Sequence, residues 1–523
     1  MKKNFKLLFL VAATIVACSS NDDTPTVVSN SADGLPLTAG SVDFSKYVSL
    51  GNSLCSGYSD GALFKAGQDN SYPSILAQQF ALVGGGTFTI PYMNDNIGGF
   101  TIGGTVFSGP RMYYTGSASS PVSTVTGPPT TEITTHLTGP FNNMGVPGAK
   151  SFHLLAPGYG SLAGLMNNTA NPYFVRFASS STASVIGDAM AQHPTFFSLW
   201  IGNNDVLGYA TSGGDGTNPI TPPTGVAGVG FDGTYTALVN TLTSENAKGV
   251  VANIPYVNTI PFFTTVPFNP LSASVLGGGN AATGQATINT LNTQLYGPLK
   301  QALTAFGAGN RINLLSTTAS NPLLIKDESL TDLTAQLTAA FTPSLGATTA
   351  TLYGQIFGKA RQTTNADLVL LTTQSAIGVA PTSSDSGLGM APPYPLNKFG
   401  ITFPLQDKHI LIPTEIAELK AATDAYNATI LAAANSKGLA FVDANGTMSQ
   451  LFNGGIVENN FTLLSTYVTG GAFSLDGVHP SPRGYALIAN KFLEAINLKY
   501  GSNIKGVDLG NYRILYPMNS NSF

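Results

Sequence analysis

Short apolar runs, each bounded by turn-forming residues, are the feature that most restricts how this chain can fold. Four of them are YVSL (47–50), TFFSLWIG (195–202), GVVANIPYV (249–257) and LAFVDA (439–444). Nearly continuous apolar runs of this length are typical of strands buried on both faces of a parallel sheet, although buried helix segments share the pattern. We therefore predict buried strands at these four places.

Helical patterns lie between and after these runs. The segment beginning PTEIAELK carries apolar residues at helical spacing, with Thr414 as a candidate N-cap, and it ends at Gly438. The segment SPRGYALIANKFLEAIN has Ser481 as a candidate N-cap and Pro482 at the first helical position. Alternating strand and helix patterns predict an α/β fold, with a mostly parallel sheet covered by helices on both faces.

Long segments rich in Gly, Thr, Ser and Pro separate these elements, at about 84–140, 206–230 and 259–400. The last of them contains helical patterns of its own and is therefore more than a loop. We predict one folded domain over residues 41–500 that carries these segments as insertions, followed by a C-terminal tail at 501–523.

The N-terminus has the order of a bacterial export signal. Three lysines within the first six residues precede an apolar stretch from Leu7, which is too short to span a bilayer comfortably. The stretch ends in IVAC, which resembles the lipobox of bacterial lipoproteins. This resemblance implies that residues 1–17 are removed, that Cys18 is lipidated, and that 18–40 is a flexible tether. An ordinary secretory signal with a chance cysteine is the alternative.

Charge and cysteine content narrow the function classes. Charged residues make up 10% of the chain and the formal net charge is −4, with no basic cluster after the first six residues. A nucleic-acid partner is therefore not expected. The chain has two cysteines, so no internal disulfide can form once Cys18 carries lipid. Cys55 is a conceivable nucleophile, but we expect it to be a small buried residue.

Four short blocks carry the chemical signal. They are GNSL (51–54), NMGVPGAK (143–150), IGNND (201–205) and DGVHPS (476–481). In this order they resemble the blocks of the SGNH hydrolases, also called the GDSL family of esterases and lipases. The resemblance implies that residues 41–500 form an SGNH hydrolase domain: a three-layer α/β/α sandwich with a mostly parallel, flavodoxin-like sheet and large insertions.

Matched residue by residue, the resemblance also implies roles. Ser53 falls on the nucleophile, and His479 and Asp476 fall on the other two positions of a catalytic triad. The backbone N–H groups of Ser53 and Gly148 and the side-chain amide of Asn204 fall on the donors that bind the oxyanion. The first block departs from the family in one place, because Asn52 stands where an aspartate is usual.

The residue types suit this chemistry. A serine hydroxyl becomes a good nucleophile when a neutral imidazole takes its proton, and a carboxylate three residues before the histidine can orient the ring through a short loop. The other histidines show no spacing with acidic residues or cysteines that would suggest a metal site: His136, His153, His193 and His409. We expect no metal and no cofactor.

The sequence therefore predicts an exported, lipid-anchored serine esterase or lipase that hydrolyses acyl or acetyl esters of a lipid or a glycan through an acyl-enzyme. The anchor would hold it at a membrane, by this interpretation the outer membrane, facing the periplasm or the cell surface. We expect the insertions to form a lid and pocket walls over Ser53. Two alternatives stay open: a non-catalytic surface lipoprotein that binds glycan or another partner on the same scaffold, and a thiol enzyme that uses Cys55.

Overall fold

A five-stranded parallel sheet forms the centre of the computed structural model, which describes residues 31–121 and 123–518. The strands of the described residues, in chain order, are β1 Tyr47–Gly51, β2 Phe100–Ile102, β3 Thr105–Ser108, β4 Met112–Tyr114, β5 Ser119–Pro121, β6 Asn143–Gly145, β7 Phe196–Trp200, β8 Lys248–Ala252, β9 Leu324–Lys326, β10 Ala360–Gln362, β11 Leu368–Val369, β12 Ile410–Leu411, β13 Ala440–Val442, β14 Ile456–Glu458 and β15 Phe461–Leu463.

The central sheet has the order β6-β1-β7-β8-β13, and the other strands form two-stranded antiparallel pairs. Numbered among themselves, the five central strands run 2-1-3-4-5, which is the flavodoxin-like order of doubly wound sheets. All four apolar runs named above contain a strand of this sheet, so their interpretation as buried parallel strands is confirmed. The predicted α/β class is confirmed with them.

Helices connect and flank these strands. The α-helices are α1 Ser53–Ser56, α2 Lys65–Asp69, α3 Tyr72–Ala81, α4 Ser123–Thr126, α5 Pro172–Val175, α6 Val185–Met190, α7 Asn203–Thr211, α8 Phe231–Leu242, α9 Pro261–Thr264, α10 Ala273–Leu276, α11 Ala281–Leu291, α12 Gly297–Ala305, α13 Thr334–Phe357, α14 Pro413–Lys437, α15 Ala444–Asn453 and α16 Pro482–Tyr500. Shorter 3₁₀ segments include Ser151–Leu154, Val257–Thr259 and Asp407–His409, and a π-turn, Asn292–Tyr296, joins α11 to α12.

Two groups of helices pack around the sheet. In the first group, α3 and α16 contact each other, and the ring of Phe80 on α3 lies edge-on to Phe196 of β7 with 5.5 Å between ring centroids. In the second group, α8 packs against α6 and α14, and the rings of Phe231 and Tyr426 stack at 4.1 Å. The main hydrophobic core therefore lies between the central strands and these helices.

The two helices predicted from sequence are present, with one correction at an end. Helix α14 ends at Gly438, whose positive φ of 63° gives the left-handed C-cap conformation. Its N-cap is Ile412 and not Thr414, because a proline occupies the first helical position and the cap is the residue before it. In α16 the Ser481 hydroxyl accepts a hydrogen bond from the Gly484 N–H at 3.0 Å, as expected for an N-cap.

The long segment predicted at 259–400 has a hydrophobic core of its own. This second core, which we call the insertion core, consists of buried residues between Val266 and Ile412. Its fully buried members include Leu303, Ile325 and Phe357. Most buried apolar residues of the segment thus pack against one another, on helices α10–α13 and strands β9–β11, while Ile260, Phe263 and Leu370 join the main core.

Both predicted terminal segments contact the folded body where the structure describes them. The Ala32 N–H donates to the Asn503 carbonyl at 2.8 Å, and the Thr38 N–H donates to the Asn503 side chain at 2.8 Å. Ile504 and Leu509 are fully buried. Hence residues 31–40 of the predicted tether are bound to the predicted tail by backbone hydrogen bonds.

Cys18 and the predicted export signal lie outside the described residues. Among the helices of residues 31–121 and 123–518, none has the length and apolar character needed to cross a bilayer.

Candidate active site

Ser53, His479 and Asp476 meet in one hydrogen-bonded row. His479 Nε2 lies 2.8 Å from Ser53 Oγ, and His479 Nδ1 lies 2.9 Å from Asp476 Oδ2. Ser53 and His479 are 426 residues apart in sequence, so only the tertiary fold brings them together. The side chains of His479 and Asp476 are 14% and 13% exposed, which leaves the row at the edge of solvent.

Ser53 is positioned by the abrupt transition from strand β1 to helix α1. β1 ends at Gly51, where a Cβ atom would lie 2.5 Å from the Trp200 carbonyl oxygen, so a side chain cannot fit there. Asn52 then caps α1, because its Oδ1 accepts the Leu54 N–H at 3.0 Å while its Nδ2 donates to Asn203 Oδ1 at 3.3 Å. The asparagine in the usual aspartate position therefore serves as a helix cap.

The strand order explains why the site lies here. In doubly wound sheets, ligands bind beyond the carboxyl ends of the strands at the point where the strand order reverses. That point lies between β1 and β7 in this sheet, since the chain proceeds from β1 to β6 on one side and from β7 to β13 on the other. Ser53 follows β1, and Asn204 follows β7.

The charge state of Asp476 determines the tautomer of His479. Burial alone would raise the pKa of Asp476, but the adjacent His479 and the N–H groups of His479 and Val478 hold that pKa at about 2. The carboxylate is therefore ionised and can only accept a hydrogen bond. Nδ1 of His479 must then carry a proton, which leaves Nε2 to accept the hydrogen of the Ser53 hydroxyl.

A tight turn that the sequence analysis missed holds the acidic end of the row. The Gly61 N–H donates to Asp476 Oδ2 at 3.0 Å, and the Leu475 N–H donates to Asp60 Oδ1 at 2.9 Å. The Asp60 N–H donates to Ser474 Oγ at 3.0 Å, and that hydroxyl donates to Asp476 Oδ1 at 3.1 Å. Burial raises the pKa of Asp60 to about 7, and the nearby Asp476 adds to the rise. The only sequence signal was an Asp-Gly turn pair.

The predicted oxyanion donors come from three different segments. Ser53 is the first residue of α1, so its N–H has no acceptor within the helix. Gly148 has a φ of 81°, and within the described part of the chain its N–H donates no hydrogen bond. Asn204 Nδ2 donates to the Ala149 carbonyl at 2.9 Å, which ties Asn204 to the Gly148 turn and leaves its second N–H free to donate.

The buried carboxylate of Asp205 holds the loop that follows Gly148. Asp205, which is fully buried, accepts the Ser151 N–H at 2.8 Å and the Ser151 hydroxyl at 2.6 Å. Burial raises the pKa of Asp205, while its hydrogen bonds to Ser151 oppose the rise. The IGNND block thus both supplies Asn204 and holds the loop that follows Gly148.

An open cavity of about 120 Å³ lies beside Ser53 and His479. Apart from its catalytic end, its walls are mainly apolar side chains from α7, α15, α16 and the loop after β8. Of the predicted 259–400 insertion only Ile260 lines it, and of the 206–230 insertion only Val206 and Leu207. The expectation that the insertions build the pocket walls therefore holds for these three residues and not for the rest of the two insertions, because much of the 259–400 segment packs into its own core.

The insertion also contacts the loop that carries Asp476 and His479. The Phe262 N–H donates to the Gly477 carbonyl at 2.9 Å. Gly477 has a φ of 71°, and a Cβ atom there would lie 3.0 Å from a methyl group of Leu371. Gly477 lies between Asp476 and His479 in sequence, so this contact supports the geometry of the row.

Cys55 is placed away from the row. It is fully buried, and its Sγ lies 3.0 Å from Ser49 Oγ. Burial raises the pKa of the thiol to about 12, so it is protonated at neutral pH. This agrees with a small buried residue and gives no support to a thiol enzyme.

The other polar groups considered from sequence lie elsewhere. In the described residues, the histidines outside the blocks bond to groups that are not in the row: His136, His153, His193 and His409. One acidic group, Glu328, Asp407 and Glu415, has ligand atoms within 4.8 Å of one another. Burial raises the pKa of Glu415 to about 8 and that of Asp407 to about 6. None of these residues lines the cavity beside Ser53.

Comparison of the chain with protein-family models, with curated proteins and with solved structures finds no match. The geometry of the site and its chemistry therefore carry the functional argument.

Proposed function

We propose that this protein is a serine hydrolase of the SGNH type that cleaves carboxylic esters, with Ser53 as nucleophile, His479 as general base and acid, and Asp476 as the group that orients His479. The observation that carries the proposal is the pair of short contacts at His479, 2.8 Å to Ser53 Oγ and 2.9 Å to Asp476. A nucleophile, a base and an orienting group within hydrogen-bond distance define an activated serine.

The reaction begins when Ser53 Oγ attacks the ester carbonyl carbon and His479 Nε2 takes the hydroxyl proton. Asp476 stabilises the imidazolium that forms, since it remains ionised down to about pH 2. The carbonyl oxygen becomes negatively charged in the tetrahedral intermediate. It then accepts hydrogen bonds from the N–H groups of Ser53 and Gly148 and from the Asn204 amide.

The intermediate collapses when the bond to the alcohol oxygen breaks and His479 gives its proton to that oxygen. The acyl group stays on Ser53 as an ester. Water then attacks the acyl carbon with His479 as base, and the proton passes back to Ser53 Oγ as the carboxylic acid leaves. The cycle needs no redox step and no group beyond those named.

The finer fold and location assignments belong to this proposal. The flavodoxin-like strand order and the two groups of flanking helices support a three-layer SGNH hydrolase domain over residues 41–500. The IVAC sequence supports lipidation of Cys18 and export to an outer-membrane location. Metabolic labelling with a palmitate analogue tests the anchor: label should enter the wild type and be lost in Cys18→Ser.

The test of the activity is labelling with a fluorophosphonate probe, which reacts with activated serines. Wild type, Ser53→Ala and Cys55→Ala are compared, and the modified residue is found by mass spectrometry. We expect label on Ser53 in the wild type and in Cys55→Ala, and none in Ser53→Ala. Folded wild type that takes up no probe would instead favour the surface lipoprotein that binds a partner without catalysis, and loss of label in Cys55→Ala alone would favour the thiol enzyme.

A further inference from the structure

The cavity beside Ser53 combines a few polar lining residues with many apolar ones. Its polar lining includes Asn203, Asn204 and His479. Its apolar lining includes Val442, Met448 and Leu451, from β13 and α15, and Leu487, Ile488 and Phe492 from α16. We propose that this cavity holds the acyl chain of the substrate, so that the ester is one of a medium- or long-chain fatty acid. This inference rests on the proposed function of Ser53.

The one lysine among the lining residues, Lys491, already has acidic partners. Lys491 Nζ lies 2.8 Å from Glu494 Oε1 and 3.8 Å from Glu458 Oε2. Its ammonium group is therefore paired with carboxylates, and its methylene stem is left to line the cavity. A neutral hydrocarbon chain fits this environment, whereas a second anionic group would compete with Glu494 and Glu458.

The apolar walls of the cavity argue against the two other substrate classes, acetyl esters and acylated glycans. An acetyl ester would leave the apolar remainder of the cavity without apolar contacts. A glycan inside the cavity would bury hydroxyl groups for which the apolar walls offer few partners, and each unsatisfied hydroxyl is costly. A hydrocarbon chain instead gains free energy with each methylene group that leaves water.

The same geometry favours the acyl part of the ester over the alcohol part. The acyl group stays attached to Ser53 while water replaces the alcohol, so it needs a site that holds it through both steps. The alcohol must leave before water can attack, which a recessed cavity would hinder. The alcohol therefore departs from the solvent-exposed edge of the Ser53–His479 row.

A binding experiment can test the cavity without any catalysis. Trp200 is the only tryptophan in the chain and it lines the cavity, with its Nε1–H donating to the Asn253 carbonyl at 3.0 Å. Its fluorescence therefore reports on what occupies the cavity.

The full chain is prepared as Cys18→Ser, so that no detergent competes for the site, and it also carries Ser53→Ala. Decanoic acid below its micellar concentration is titrated, with acetate as the matched headgroup control.

We expect a saturable change in Trp200 emission with decanoic acid and none with acetate. A matched pair of variants on α15 locates the binding. Thr447 lines the cavity and Ser449 does not, so Thr447→Phe should weaken the response at least tenfold while Ser449→Phe should leave it unchanged. If Thr447→Phe does not fold, Ile488→Phe on the facing α16 makes the same test. Equal responses to decanoic acid and acetate, or none to either, would overturn the inference.

Hydrolysis then assigns the chain to the acyl side. For p-nitrophenyl esters from acetyl to decanoyl, kcat/KM should rise by about fourfold per methylene until the cavity is filled. Thr447→Phe should lower the ratio of decanoyl to acetyl rates, and Ser449→Phe should not. Acetate esters of longer alcohols should show no comparable rise, and a rise with alcohol length in their place would overturn the acyl assignment.

The failures of the two proposals can be told apart. Highest activity on acetyl esters, with Ser53 labelled by fluorophosphonate, would reject the acyl chain and keep the hydrolase. Saturable binding of decanoic acid without labelling or hydrolysis would reject the hydrolase, and with it the assignment of the bound chain as an acyl group.

Discussion

The loops that carry Ser53 and His479 and the segment that forms the insertion core keep their structures by different interactions. At the site, side chains from distant parts of the sequence are joined by hydrogen bonds, such as Gly61 to Asp476 across 415 residues. The insertion core consists of apolar side chains between Val266 and Ile412 that pack against one another.

Because of this difference, we expect substitutions in the two regions to affect different properties, turnover in one and folding stability in the other. Polar contacts at the site set the orientation of reacting atoms and add little to the free energy of folding, because a typical hydrogen bond contributes about 1 kcal/mol net. Buried apolar side chains contribute several times as much to folding and touch no reacting atom. Site variants should therefore lose turnover while staying folded, and insertion-core variants should lose stability while the remaining folded molecules keep their turnover.

The largest expected effect is on turnover, in His479→Asn. Loss of the general base should lower kcat by about 10⁴-fold or more, with the melting temperature changed little. His409→Asn is the matched control, because His409 precedes β12 of the insertion core and its Nδ1 accepts the Gln406 N–H at 3.1 Å. It should keep kcat per folded molecule within about twofold. Steady-state kinetics together with thermal unfolding check both variants; comparable kcat losses would remove the distinction between the regions.

The next effect is on stability, in Phe357→Ala. Phe357 is fully buried in the insertion core, so truncation should lower the free energy of unfolding of this region by about 3–5 kcal/mol. Phe306, which is 40% exposed in the same insertion, provides the control Phe306→Ala with a much smaller loss. Hydrogen exchange resolved by segment measures the loss, and active-site titration gives kcat per folded enzyme. A fall in kcat as large as the fall in stability would show that the insertion core determines the site geometry.

Much of the fold could be predicted from the sequence, and the reason is visible in particular strands. β1, β7, β8 and β13 come from apolar runs that only a buried element can accommodate. β6 has three residues, Asn143–Gly145, and begins with a polar one, so no run indicated it. The second hydrophobic core was not predicted either, because helical periodicity shows that a segment has an apolar face and does not show what covers it.

The candidate site was also only partly predictable from the sequence. The four blocks named Ser53, His479 and Asp476, and the structure places these three side chains in contact. The turn at Asp60 was missed because an Asp-Gly pair is common in turns and its contact with Leu475 exists only in the tertiary structure. The expected pocket walls were found only in part for the same physical reason: sequence position near a strand end does not determine which core a segment joins. The lid over Ser53 stays a prediction.

A smaller effect should come from Gly477→Ala, at the contact between the two regions. Alanine there must adopt a φ near 71° and place its Cβ 3.0 Å from Leu371, so the loop between Asp476 and His479 should shift. We expect kcat to fall about tenfold with KM little changed, as for a small misplacement of catalytic groups. Gly501→Ala is the matched control, because Gly501 has the same φ of 71° and open space around it.

Both glycine variants should lose about 1 kcal/mol of stability through backbone strain, and only Gly477→Ala should lose turnover. Kinetics and thermal unfolding on the pair separate the two causes. Equal kcat values for Gly477→Ala and Gly501→Ala would mean that the insertion does not influence the row through this loop.

The last expected effect concerns pH, to which Asp476 at the site and Glu415 beside the insertion core respond in opposite directions. The pKa of Asp476 is lowered from 3.8 to about 2, so its contribution to stability is present above pH 3.8 and is lost as the pH falls through about 2. Beside the insertion core, burial raises the pKa of Glu415 from 4.5 to about 8, with Asp407 and Glu328 adding to the rise. Its contribution is full below pH 4.5 and is lost as the pH rises through about 8.

Between about pH 5 and about pH 9, stability should therefore fall with rising pH, because carboxylates accumulate around Glu415 and because Asp60, whose pKa burial raises to about 7, also ionises. Glu415→Gln keeps an oxygen that can accept the Ile412 N–H and removes the titrating group with the largest shift in this window, so it should remove about half of the fall. Glu418→Gln, on the exposed face of the same helix α14, should leave the pH dependence as in the wild type. Urea unfolding at the two pH values measures the change. An unchanged slope in Glu415→Gln would place the pH sensitivity outside this acidic group, and Glu415 would then no longer oppose Asp476 in the sign of its response.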